Sequence, residues 1–140
     1  MRKQEPNGQE MSGRVRGVQR ATPADHVVDS ARRRVVVKFG KRLTAADIQK
    51  YAFWLVAHPS FAPDFSEIVD LTGVEDLDLK ADDFLKLADQ IDPFSATAKR
   101  AFVAQNSTQH HAARMHKILR PEGNIRIFRS FEEAERWLQD

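Results

Sequence analysis

The chain has 140 residues, 41% hydrophobic and 30% charged, with a formal net charge of +2, which suits one domain with a real core and requires no second. It contains no cysteine, which excludes disulfides, thiolate chemistry and zinc sites built on sulfur and makes a cytoplasmic location the expectation. No apolar run nears the roughly 20 residues of a spanning helix, and the first residues lack the apolar stretch of a secretory signal, so no membrane span is expected.

Charge is unevenly spread. Residues 1–42 carry eleven Lys/Arg against four Asp/Glu, and residues 43–140 carry eleven against sixteen. Arg2, Lys3, Arg14, Arg16 and Arg20 are scattered among Gly, Gln and Pro without apolar periodicity. Residues 1–24 are therefore expected to be a flexible basic tail, and residues 25–140 the folded domain. Met11 offers a second start beside Met1. The tail has no Phe, Tyr or Trp to stack on bases, so specific nucleic-acid binding is not expected.

The ordered pattern begins at Asp25. His26-Val27-Val28 reads as a short strand, residues 29–33 as a polar turn, and the run Val35-Val36-Val37 as a strand buried on both faces. Gly40 ends it. Thr44 and Asp47 form a capping box that predicts a helix over 45–57, with Ile48, Ala52, Leu55 and Val56 facing the sheet. Tyr51, Phe53 and Trp54 widen its apolar arc beyond one sheet face. Phe61 and Phe65 lie just beyond it in a loop punctuated by Pro59 and Pro63. This surplus has three readings: burial by the folded-back loop, a subunit interface, or an apolar ligand pocket.

The chain is organised around residues 65–79, FSEIVDLTGVEDLDL. Ile68-Val69 marks the central strand, and an acidic loop follows. Loops at the carboxyl ends of strands carry ligands in open α/β sheets, which makes Asp70, Thr72, Glu75, Asp76 and Asp78 candidates. Phe84, Leu85, Leu87, Ala88 and Ile91 repeat at helical spacing until Asp92-Pro93. A strand is expected over 98–104 and a helix over 107–119, its inner face formed by Ala112, Met115, Ile118 and Leu119. A fifth strand follows over 124–128, then a last helix capped by Ser130 and Glu133. The order is ββαβαβαβα: an α/β domain with a five-stranded, mostly parallel sheet, an antiparallel N-terminal hairpin strand and four helices.

Catalytic patterns are weak. The acids after the central strand lack the spacing of a calcium loop or a phosphate cradle, so no metal or cofactor is expected and they read as solvated helix-start carboxylates. His110, His111 and His116 diverge around their helix, since five residues correspond to about 140° of rotation. His110 and His116 are read as polar surface and His111 as bordering the core. Ser107, His111 and Asp70 make a triad only on paper, without a nucleophile elbow. Asp70 as a receiver-type phosphoacceptor lacks its acidic and lysine partners. Ser107, at the start of its helix with Asn106 and Thr108, could receive an anion, as could many helix starts.

Four stretches, RVVVKFGKRLTAADI from Arg34, EIVDLTGVEDLDL from Glu67, AARMHKIL from Ala112 and IRIFRSFEEAERWL from Ile125, together resemble the STAS, or SpoIIAA-like anti-sigma-factor-antagonist, superfamily. Their order over about residues 26–139 is similar to its uncharacterised bacterial branch, related to CRAL-TRIO lipid carriers. The resemblance implies the fold above and a noncatalytic binding or protein-interaction module, or alternatively a carrier or sensor of an apolar ligand. Antagonists of this family carry a phosphorylatable Ser where Asp78-Leu79-Lys80-Ala81 stands here, so that switch is missing. Thr72 is the nearest hydroxyl and departs from the family position. A protein partner or a second copy of the chain is expected, with Tyr51, Phe53, Trp54, Phe61, Phe65, Asp70, Thr72, Asp78 and Ser107 as candidate contact residues.

Overall fold

The computed structural model describes residues 25–90 and 92–140; the expected tail, and Ile91 with its helical role, lie outside the described residues. Strands β1 (Asp25–Asp29) and β2 (Arg34–Lys38) form the expected antiparallel hairpin. Arg33 closes its turn in the left-handed region with φ of 53°. The short β3 (Arg42–Thr44) leads into α1 (Ala45–Ala57). Thr44 Oγ1 accepts from the Asp47 N–H at 3.2 Å and the Asp47 carboxylate accepts from the Thr44 N–H at 3.0 Å, so both halves of the capping box are made.

The chain continues through β4 (Ser66–Asp70), β5 (Asp76–Asp78), α2 (Ala81–Ala88), β6 (Lys99–Val103), α3 (Ser107–Leu119), β7 (Asn124–Phe128) and α4 (Phe131–Gln139). The main sheet runs β1-β2-β4-β6-β7, parallel except for β1, with β4 central as expected. The acidic loop holds more order than its sequence suggested. Its residues 76–78 form β5 and pair in parallel with β3, Leu43 opposite Leu77, as a separate two-stranded sheet. Three-residue strands are too short to show a period, so neither was legible. The second helix stops at Ala88, earlier than its apolar spacing implied. At the last helix Ser130 Oγ caps the Glu133 N–H, but the Glu133 carboxylate takes the Arg129 N–H rather than that of Ser130.

Strand order rises without reversal from β2 through β7. Right-handed crossovers then place α1, α2 and α3 on one face, and α4 turns back onto the other. Val35, Val37, Val69, Phe102 and Ile125 pack with Tyr51 and Leu55 of α1 and Ala112 and Ala113 of α3, and α2 packs against those two helices, while Ile68, Ala101 and Val103 meet Ala134 of α4. Two face assignments change: Val56 is 67% exposed and Ile118 66% exposed, so both point outward. Because the order never reverses in the parallel part, no switch-point crevice forms at the strand ends. Among the described residues, a cavity lies instead between the sheet and α1–α3.

Candidate functional site: a polar cluster in an apolar compartment

Alternation along β4 puts Glu67 and Val69 on the face covered by α1–α3. Glu67 is 1% exposed, in the middle of an apolar layer, where an unpaired carboxylate would be very costly. The neighbouring strand supplies its partner. Glu67 stands opposite Arg100 in the β4–β6 register, and Arg100 Nε donates to Glu67 Oε1 at 2.9 Å. From α1, the Tyr51 hydroxyl donates to Glu67 Oε2 at 2.6 Å. Both carboxylate oxygens therefore have a donor.

Arg100 is itself engaged through each of its three nitrogens. One terminal nitrogen donates to Asp92 Oδ2 at 2.8 Å, the other lies 3.4 Å from His116 Nε2, and the guanidinium carbon sits 4.5 Å over the Phe94 ring. Arg120, at the end of α3, donates to the carbonyls of Leu87 and Gln90 at 3.2 and 3.1 Å and approaches Asp92 at 3.6 Å. It satisfies carbonyls at and after the C-terminus of α2, where cations are favoured.

The electrostatics follow from this packing. Burial, then the Glu67 charge, holds the Tyr51 hydroxyl well above its usual range, so it stays a donor. Burial pulls Arg100 downward, but Glu67 and Asp92 outweigh it and the net shift is upward. Burial, reinforced by the Arg100 and Arg120 charges, pushes His116 down to about 3. A guanidinium can only donate, so its contact with neutral His116 requires an unprotonated Nε2, the tautomer with its proton on Nδ1.

These side chains help line a cavity of about 80 Å³ that opens part-way to solvent. Its other walls are mainly apolar, including Leu43, Ile48, Leu55, Phe84 and Phe102. Tyr51 is thus a lining residue of an internal compartment.

The other candidates from the sequence do not join it in one place. Phe61 packs edge-on against Phe65 and Phe94, with ring centroids 5.8 and 5.2 Å apart, and Phe65 is core at 2% exposure. Trp54 is half-buried, its indole stacked 4.1 Å from His26 of β1, whose pKa burial lowers. Phe53 is 68% exposed. Asp70 accepts from the Thr72 N–H at 2.9 Å and hydroxyl at 2.6 Å, an Asx turn just past β4. Asp78 pairs with Arg42 across β3–β5, and that hydrogen bond holds its carboxyl below the usual range. Ser107 is exposed in the first turn of α3.

Sequence reading missed Glu67, Asp92, Arg100 and Arg120, and placed two histidines wrongly. His116 faces the sheet, its ring centroid 4.9 Å from that of Phe102, whereas His111 is exposed. The signal available was Glu67 itself, an acid flanked by the apolar strand Ile68-Val69, together with Arg100 beside Ala101-Phe102-Val103. Charged residues beginning two apolar runs read as strand ends until the register sets them side by side.

A protein of the DUF3478 family from Shewanella loihica PV-4, described as uncharacterised and as having a SpoIIAA-like fold, aligns with a TM-score of 0.56 and 21% identity, over 87% of this chain and 99% of that one. No protein-family model matches the chain, and no curated protein does.

Proposed function

With the SpoIIAA-like fold as its scaffold, we propose that this chain is a noncatalytic module that holds a small, largely apolar ligand between the sheet and α1–α3, as a carrier or sensor. The cavity of about 80 Å³, mostly apolar but lined also by Tyr51, Glu67, Arg100 and His116, carries the reading. Such compartments, with few and precisely held polar groups, are what small-molecule sites offer. A noncatalytic role fits the same cluster, since its carboxylates and guanidiniums are committed to one another. The absent phosphoacceptor at residues 78–81 argues against a phosphorylation switch. No metal, cofactor or nucleic acid is part of the proposal, and the cysteine-free composition suits a cytoplasmic location.

Xenon tests this reading, because it enters apolar cavities without needing polar contacts. Under xenon pressure, NMR signals of residues lining the cavity should shift saturably, and filling the space with Ala112→Leu should remove the response. Unchanged cavity signals in the wild type would refute it.

A second reading rests on Phe53 and Val56, 68% and 67% exposed and one helical turn apart on α1. They would supply an apolar contact for a protein partner or a second copy of the chain, with Asp70, Thr72, Asp78 and Ser107 as a separate polar surface at or beyond the strand ends. Sedimentation of the wild type as a monomer at all accessible concentrations would remove the self-association arm of this reading.

A further inference from the structure

We infer that the compartment selects a compact uncharged molecule, smaller than a benzene ring and bearing a hydrogen-bond acceptor, and excludes small carboxylates and ammonium ions, because the charges on its wall already face opposite charges. The inference rests on the ligand-binding reading and specifies what is bound.

Charge balance carries the first part. Arg100 is held by Glu67 at 2.9 Å and by Asp92 at 2.8 Å, and Arg120 by backbone carbonyls with Asp92 at 3.6 Å. Two guanidiniums thus stand against two carboxylates. His116 adds no charge at neutral pH, being pushed down to about 3. An entering carboxylate would compete with Glu67 and Asp92 for Arg100, and displacing Glu67 would leave a charge at 1% exposure. An ammonium ion would meet carboxylates whose charge the guanidiniums already balance. Either ion would also lose its hydration in a mostly apolar space, and an uncharged molecule avoids both costs.

The acceptor preference comes from His116, which lines the cavity. Its Nε2 faces the Arg100 guanidinium at 3.4 Å, and among the described residues Nδ1–H has no hydrogen-bond acceptor. An alcohol or ketone oxygen suits that donor. Size follows from volume: the cavity measures about 80 Å³, against roughly 150 Å³ for a cavity that takes benzene. A full acyl chain does not fit inside it.

The test uses three probes of the same size, isopropanol, acetate and isopropylammonium, each titrated at pH 7 into the full chain with amide NMR as readout. Isopropanol should shift signals around Ala52, Leu55 and Ala112 saturably, and bind about tenfold or more tightly than either ion, a factor set by the desolvation each ion incurs. Ala52→Leu and Ala112→Leu should each abolish the response; if one misfolds, the other decides. Equal or tighter binding of acetate or isopropylammonium at the same residues would overturn the charge selection while leaving the compartment reading intact. Isopropanol shifts that do not saturate, or that persist in a folded cavity-filled variant, would also overturn the inference. Failure of all three probes and of xenon would refute the compartment reading with it.

Discussion

Tyr51 delivers a hydroxyl to a carboxylate that is only 1% exposed, so Tyr51→Phe tests what one buried donor contributes. A hydrogen bond to a charged group is worth about 1.5–3 kcal/mol, and the variant should lose that much in chemical denaturation with its fold retained. Arg100→Ala is harsher. It strands Glu67 at 1% exposure and frees Asp92, and breaking a buried pair in this way costs about 3–5 kcal/mol. His116 sets the pH behaviour of the cluster. Its folded pKa lies near 3 against 6.5 for the free group, so below pH 6.5 the unfolded chain takes up a proton that the folded chain refuses. Stability is thus lost as pH falls from 6.5 towards 3, by up to about 2 kcal/mol between pH 7 and pH 5. His116→Gln should flatten that part of the profile, as read from denaturant midpoints at the two pH values.

At the scale of elements, α1 joins three jobs. Its cap at Thr44 fixes where it starts, its inner face lines the compartment with Tyr51 and Leu55, and its outer face presents Phe53. Thr44→Ala removes the hydroxyl half of the capping box and should cost about 1 kcal/mol, measured as a lower denaturant midpoint. The aromatic surplus of this helix resolves unequally. Tyr51 is buried, Trp54 is half-buried against His26, and only Phe53 lies mostly in solvent. Phe53→Ala should therefore change the stability of the isolated chain by no more than about 0.5 kcal/mol, the usual range for exposed positions. If α1 docks on a partner or a second copy, the same substitution weakens that association, which sedimentation reads directly. Trp54→Ala uncovers His26 and should cost more than Phe53→Ala.

At the scale of the whole molecule, the five-stranded sheet of the described residues starts with β1 at Asp25. Deleting residues 1–22 should leave the melting temperature within a few degrees, and loss of cooperative unfolding would show that the segment packs on the domain. The sequence by itself determined the four helices, the five main strands and the central place of residues 66–70, because side-chain period and capping residues are local signals written within a few positions. It also marked Tyr51 as more than one sheet face needs. The tertiary structure decided the rest. Glu67 and Arg100 are 33 positions apart and become neighbours only through the parallel register after a crossover, which no local pattern encodes. His116 turns inward rather than His111 because the rotation of α3 against the sheet, not spacing along the helix, chooses the buried face. The compartment exists because an unreversed strand order sends three successive crossover helices to one face, and the gap beneath them is a property of their packing.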